Sequence, residues 1–495
     1  MIAQQQHICQ QPPPYRSALV LLDSFGNILA SLALLTCEML MIPSSAAAAP
    51  ARVAAENITT EDVTFESNGL TFHGTVLIPK AQNGSLPGMV IVGGAGPRKR
   101  DSYLAEATAF AAAGIVTLIY DKRTVGYSLT ERSFAQLGDD ALAGLELLRV
   151  RKNVNPKLVG LWGHSEGGWV VPLAATKSSS VGFVVVTGAS ALSPARVQTW
   201  SNCQHLMHSG FPERLCGAVG SNITRLLVAG GMFPEAGYDP IPTAKALDIP
   251  TLIVLAQFDQ STGPAESVKL FDTALAGNRL AKIIVIPDAA HNFRVSTNGF
   301  TRGADFAPGY FDSVTQWVRG LPETTATKLP AETTSDGFGG NLRKSAELIK
   351  LAWYESVLMH AIVFAAIISA FLSYPVTALV RRIRGRCGGA VGATPASIVW
   401  VAGLLAVFGT TIFLIFVMVT AATQPLGPVM FGRPLLWLAL QILAIVTIGA
   451  GVWAGIVWFR ERAQITRWAG VQLATLIGGT LLFMPWALYW GLLTP

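Results

Sequence analysis

The chain has 495 residues, of which 51% are hydrophobic and only 13% charged, and a formal net charge of +6. That apolar content exceeds what an ordinary soluble globule carries, so a purely aqueous protein is excluded and part of the chain belongs in a membrane. No long Lys/Arg run occurs in the first 320 residues, which excludes a nucleic-acid footprint, and the five cysteines show no Cys-x-x-Cys metal spacing.

Residues 1–48 read as an export signal. The apolar run from Ile28 to Ile42 has the length of a signal-peptide core and is short for a membrane span; small residues follow it, with cleavage expected after Ala48. Arg16 is the sole basic residue ahead of the run and Glu38 interrupts it, so an uncleaved N-terminal anchor is the alternative.

From Glu61 the pattern turns to short β-rich runs, and those at Val63 and Leu70 to Ile78 form a leading antiparallel hairpin. Apolar runs then alternate with helical patterns: Met89 to Val92, a helix from Ser102 to Ala113, Ile115 to Tyr120, a helix from Phe134 to Arg149, a strand from Leu158, a helix after Ser165, and Val181 to Thr187. Continuous hydrophobicity in the runs predicts a mostly parallel sheet covered by helices on both faces. At residues 189–247 the rhythm breaks into a helical insertion, which would sit as a cap above the strand ends and shape a pocket. Regularity returns with Pro250 to Asp259, a helix from Ala265 to Leu275, Lys282 to Ile286 and a closing helix from Pro308 to Gly320. The polar residues 322–341 read as a linker.

Residues 351–490 hold four apolar spans, at about Leu351 to Leu372, Ile398 to Ala421, Leu435 to Val457 and Ala469 to Trp490, each close to the roughly 20 residues that cross a bilayer. The loop after the first carries Arg381, Arg382, Arg384 and Arg386, and that after the third Arg460, Arg462 and Arg467, whereas the middle loop has only Arg433. The positive-inside rule puts the two arginine-rich loops in the cytoplasm and the domain ahead of the spans outside, in agreement with the export signal. Arg343, Lys344 and Lys350 argue weakly against that orientation, and Glu355 and His360, in or near the first span, read as interfacial or functional groups.

Within the first 320 residues, Gly163-His164-Ser165-Glu166-Gly167 joins an apolar strand to a helical run. A serine in so tight a turn is presented above the sheet edge, and the Glu166 amide in the next helical turn points at any oxyanion formed on a carbonyl that Ser165 attacks. A nucleophilic serine needs a base and a carboxylate to orient it. Asp259 and His291 end or follow the two predicted strands after the insertion, on the rim where Ser165 lies. Asp288 competes as the carboxylate, although three residues before His291 it suits a role in shaping the loop.

On these residues the sequence resembles the α/β-hydrolase family, in particular serine esterases and prolyl-oligopeptidase-like hydrolases, over about residues 61–320. The resemblance rests on Val92-Gly-Gly-Ala-Gly-Pro97 with Arg100-Asp101, Tyr120-Asp-Lys-Arg123, Gly163-His-Ser-Glu-Gly-Gly168 and Asp288-Ala-Ala-His291. It implies an α/β-hydrolase fold, Ser165 as nucleophile, His291 as base, Asp259 as its partner, and an oxyanion hole from the amides of Glu166 and Ala95. Gly93-Gly94 stands where relatives commonly have His-Gly, and Thr124 where they often have glycine; the Ala95 amide survives either change. Arg98, Lys99 and Arg100 read as a solvated face or as partners of Asp101, with a site for a substrate carboxylate as the alternative.

Taken together, the chain reads as an exported, membrane-anchored serine hydrolase acting on a small-molecule ester or acyl substrate, with no metal, cofactor or nucleic acid implied. A peptidase or acyltransferase on the same triad is the alternative enzyme. A membrane transport or signalling module with a catalytically silent outer domain is the alternative of another class. Cys203 and Cys216 are the two cysteines of the exported part, flanking a break at Ser209-Gly210 and Pro212 between two helical patterns, so they are expected to bond. The alternatives for that segment are two free thiols, or a metal site shared with His205 and His208.

Overall fold

The computed structural model describes residues 57–80, 84–128, 130–321, 338, 343–385 and 392–494. The expected leader at 1–48, nearly all of the linker at 322–341, and Cys9, Cys37 and Cys387 lie outside the described residues. One sheet of eight strands runs in the order β1-β2-β4-β3-β5-β6-β7-β8. β1 (Ile58–Ser67) and β2 (Leu70–Pro79) form the antiparallel hairpin, closed by Asn68 and Gly69, both at positive φ. This Asn-Gly pair matches the right-handed strand twist. β2 pairs antiparallel with β4 (Val116–Tyr120), and β4 pairs parallel with β3 (Leu86–Val92). Parallel pairing continues through β5 (Val154–His164), β6 (Val184–Thr187), β7 (Thr251–Ala256) and β8 (Ala281–Ile286).

Alternate residues of the central strands feed opposite faces. Met89, Ile91, Trp162 and Val185 pack with α1 (Leu104–Ala112) on one side. Val90, Val92, Leu161 and Val186 pack with α2 (Phe134–Arg149) and α3 (Gly167–Lys177) on the other. Helix α2 matches its expected bounds at both ends, and Ser133 fixes its start, its hydroxyl accepting from the Gln136 amide at 3.3 Å. By contrast, the helix expected from Ser102 begins as a 3-10 turn, Arg100–Tyr103. The Arg100 amide donates to Asp121 at 3.0 Å and its guanidinium to the Gly74 carbonyl at 2.8 Å, with Asp62 at 3.5 Å. These partners replace the expected pair with Asp101.

The insertion comprises α4 (Pro194–His208), α5 (Glu213–Cys216), a π-helical turn Gly217–Ser221, α6 (Asn222–Ala229) and α7 (Pro240–Lys245). Gly210, at φ +91°, makes the break, and the Cys203 and Cys216 sulfurs meet with their Cα atoms 5.1 Å apart. His205 and His208 instead pack on Phe300, with ring centroids at 5.2 and 3.8 Å. Closing so short a loop should contribute about 3 kcal/mol by the chain-entropy account. Alkylation of the unreduced protein followed by mass spectrometry should leave both thiols unmodified; alkylation of both before reduction would refute the bond.

After β7 come α8 (Pro264–Leu275), β8 and α9 (Tyr310–Arg319), whose Tyr310, Val314, Trp317 and Val318 bury one helical face. Four helices long and apolar enough to cross a membrane follow: α10 (Val357–Ile383), α11 (Ala393–Thr420), α12 (Leu435–Glu461) and α13 (Arg467–Tyr489). The first starts later than the apolar pattern predicts. Residues Trp353–Glu355 form a 3-10 turn, and Ser356 caps α10 by accepting from the Met359 amide at 3.3 Å. Glu355 thus lies ahead of the span, in a two-pronged ion pair with Arg225 of α6 at 2.9 and 2.8 Å.

Cap and helical bundle share one core. Leu206, Phe211, Leu215, Val219 and Ile223 cluster with Phe413, Trp437 and Trp486. The Phe211 ring lies 5.3 Å from that of Trp437, and Asn222 donates to the Tyr489 carbonyl at 3.0 Å.

Candidate active site

The rim of the sheet gathers residues from four strands. At the end of β5, Ser165 has φ +55°, a left-handed conformation costly for a serine, and its amide donates to the Thr187 carbonyl at 3.0 Å. Two glycines permit this turn. A Cβ on Gly163 would lie 2.2 Å from the Gly167 carbonyl oxygen, and one on Gly167 would lie 2.2 Å from that of Val92. The loop after β3 closes on the serine, since a Cβ on Gly94 would come within 3.2 Å of the Ser165 Cβ.

Asp259 follows β7 and is wholly buried. Its Oδ1 accepts from the Ser261 and Thr262 amides at 2.6 and 3.1 Å, and its Oδ2 from the Thr262 hydroxyl at 2.6 Å and His291 Nδ1 at 2.8 Å. Burial alone would raise this carboxyl; the His291 ring, the Thr262 hydroxyl and the Ser261 amide outweigh it and hold Asp259 below the ordinary Asp value. A carboxylate only accepts, so Nδ1 of His291 carries the proton and Nε2 remains to receive one. Asp288 stays in the loop, at φ +50°, its amide donating to Gln257 at 2.9 Å. Between Asp259 and Asp288, the geometry selects Asp259 as the partner of His291.

The glycines beside Ala95 are occupied: Gly94 donates its amide to the Tyr103 hydroxyl at 2.7 Å and Gly96 to that of Tyr127 at 2.9 Å. The Ala95 and Glu166 amides make no hydrogen bond among the described residues. Two donors near a strained serine, left open while their neighbours are satisfied, form a cradle suited to a developing oxyanion.

The sequence pattern points to the amide of Glu166; its side chain is also held in place. The carboxylate, 2% exposed with the residue, accepts from Lys122 Nζ at 2.5 Å, from the Tyr127 hydroxyl at 2.9 Å and from Arg132. Burial would raise Glu166, but Lys122 and Arg132 outweigh it and keep the carboxyl below its ordinary range. Lys122, drawn below its ordinary value by burial, also donates to the Gly94 carbonyl at 2.8 Å. One buried cluster thereby holds both sides of the cradle.

His164, next to the serine, is likewise placed by partners that the local sequence does not mark. Its Nε2 donates to the His291 carbonyl at 3.1 Å, and its Nδ1 lies 3.2 Å from the Tyr103 hydroxyl. Because the carbonyl can only accept, Tyr103 donates to Nδ1, and the chain Gly94, Tyr103, His164, His291 ties the cradle to His291. Burial, with the neighbouring His291, pushes the His164 imidazole down to about 3; burial pushes that of His205 on the cap down to about 4. Between those values and about 6.5 the unfolded chain binds more protons than the folded one, so stability rises with pH across this window. The melting temperature should therefore fall as pH drops from about 6.5 toward 4, with a shallower fall for His205→Gln. An unchanged slope would show that His205 is charged in the fold.

Residues 106–315, which include Ser165, Asp259 and His291, match the prolyl oligopeptidase family. No curated protein matches the chain. Among solved structures, a candidate dienelactone hydrolase from Klebsiella pneumoniae is 15% identical, covering 53% of this chain and 99% of its own, with a TM-score of 0.39. An esterase from Pyrococcus furiosus is 12% identical, covering 56% and 96%, at 0.39. An acylaminoacyl peptidase from Pyrococcus horikoshii is 16% identical, covering 50% and 40%, at 0.37. With its mostly parallel sheet and the serine turn at its rim, the chain has an α/β-hydrolase fold, is similar over residues 106–315 to the prolyl oligopeptidase family, and continues into a C-terminal region of four apolar helices.

Proposed function

We propose that this protein is a membrane-anchored serine hydrolase that cleaves carboxylic esters through an acyl-enzyme on Ser165. The observation that carries this reading is the 2.8 Å hydrogen bond from His291 to buried Asp259, on the same rim as the strained serine. The Ser165 Oγ attacks the ester carbonyl while His291 Nε2 takes its proton, and the Glu166 and Ala95 amides hold the oxyanion. Collapse expels the alcohol, which leaves with the proton from His291. Water then attacks the acyl group with His291 again as base, releasing the acid and the free serine. Asp259 orients the imidazole and stabilises its charged form.

The family match favours a second reading, cleavage of amides on the same triad. Turnover of p-nitrophenyl esters and aminoacyl amides by the detergent-solubilised full chain separates the two. Esters should be cleaved faster; faster cleavage of amides would replace the esterase reading.

We further infer that the hydrolase domain lies outside the cytoplasm. The cap docks at the bundle end that carries the start of α10 and the last turn of α13, and Arg381, Arg382, Arg460, Arg462 and Arg467 lie at the opposite ends of their helices. A reporter active only outside the cytoplasm should work when fused after Pro495 or at Leu426 and fail at Gly385. The reverse pattern would put the hydrolase in the cytoplasm.

A further inference from the structure

Where the cap meets the bundle, a crevice of about 350 Å³ opens between Leu226 and Leu227 of α6 and Ala361, Ile415, Met418 and Trp490 of the helical region. Its size is that of a small-ligand site, about 300 Å³ or more, and its walls are almost wholly apolar. It runs along α10 from Val357 to Phe364 and along α11 from Met418 to Thr411. Seven residues at 1.5 Å each give a depth of about 10 Å, within one leaflet of a hydrocarbon core about 30 Å thick.

The surroundings place the membrane boundary here. Trp353 and Tyr354, just ahead of α10, are 76% and 60% exposed, as expected of an aromatic belt at the headgroup level. Beside them, Ile223, Leu226 and Leu227 form one face of α6, a helix suited to lying in the interface. Ile415 and Met418, on walls of the crevice, are exposed on the surface that a bilayer covers.

Polar groups above the crevice are already engaged. Arg225 is spent on Glu355 and on the Ile349 carbonyl at 2.9 Å, and His360 Nδ1 donates to the Ser356 carbonyl at 3.2 Å. No lysine, arginine or carboxylate lines the crevice, so its walls offer an apolar slot and no charge for a headgroup.

We propose that this crevice seats one acyl chain of a bilayer phospholipid, from the leaflet on the hydrolase side, recognised through its hydrocarbon and not its headgroup. The seated chain fills the joint between cap and bundle. This site rests on the membrane reading of the four helices and is independent of the chemistry at Ser165.

The test uses the full chain in vesicles of phosphatidylcholine doped with a phosphatidylcholine or a phosphatidylglycerol that carries a photoreactive diazirine on its acyl chain. After irradiation and peptide mapping, Leu226 and Leu227 should be labelled by both probes, alongside the lipid-facing control Ile445 on α12. Ala361→Trp, which fills the slot, should lose the label at Leu226 and Leu227 and keep it at Ile445, with an unchanged far-ultraviolet circular dichroism spectrum confirming the fold. Met418→Trp repeats the test from the other wall should the first variant misfold. Label absent from Leu226 and Leu227 in the parent chain while Ile445 is modified would overturn the proposal. So would label unaffected by a folded filling variant, dependence on headgroup, or cross-links from these residues to a second copy of the chain.

Discussion

Ser165→Ala and His291→Ala should each abolish ester turnover, with a loss of about 10⁶-fold in kcat if the three residues act as the unit seen in other Ser-His-Asp enzymes. The double variant should be little worse than either single one, because the proton transfer requires both partners at once. Asp259→Asn should cost about 10⁴-fold, since the amide side chain favours the wrong imidazole tautomer while leaving the site assembled. Unchanged melting behaviour would assign these losses to chemistry. A more damaging Asp288→Asn would contradict the assignment of Asp259, the residue whose carboxylate lies 2.8 Å from His291 Nδ1.

The second large effect falls on stability. In Glu166→Gln the backbone amide remains, but Lys122 and Arg132, whose side chains are 7% and 14% exposed, are left facing each other without the carboxylate. Breaking a buried ion pair from one side typically costs about 3–5 kcal/mol. Such a loss should appear as a clear fall in melting temperature, accompanied by weaker turnover as both sides of the cradle loosen. Lys122→Met in the Glu166→Gln background should recover part of the stability by removing one of the uncompensated charges. A melting temperature unmoved by Glu166→Gln would mean that the carboxylate is already neutral in the fold.

Local patterning made much of this architecture legible. The runs at Val90, Leu118, Leu161, Val186 and Leu255 are buried strand interiors, and their continuous hydrophobicity marks a sheet covered on both faces. Asp259 and His291 were found because strand carboxyl ends converge on one rim, a rule that converts sequence order into proximity. The side chain of Glu166 and the ring of His164 escaped notice because their partners lie tens of residues away. Lys122 is 44 residues before Glu166 and Tyr103 61 before His164, and periodicity carries no information over such distances. The nearest signal is Lys122 itself, in the charged run Asp121-Lys122-Arg123 that directly follows the apolar strand ending at Tyr120.

Glu355 escaped for a related reason. Hydropathy placed it near the first span without revealing Arg225 of the cap as its partner, or Ser356 as the residue that starts the helix beyond it. The docking of cap on bundle depends on apolar residues such as Phe211 and Leu215, whose composition suits a core of any kind.

The identity of the nucleophile can be measured without knowing the substrate. Labelling of the full chain with a fluorophosphonate probe, followed by digestion and mass spectrometry, should place the adduct on Ser165, and both Ser165→Ala and His291→Ala should abolish it. A folded protein that takes up no probe, or one modified at another serine, would contradict the account.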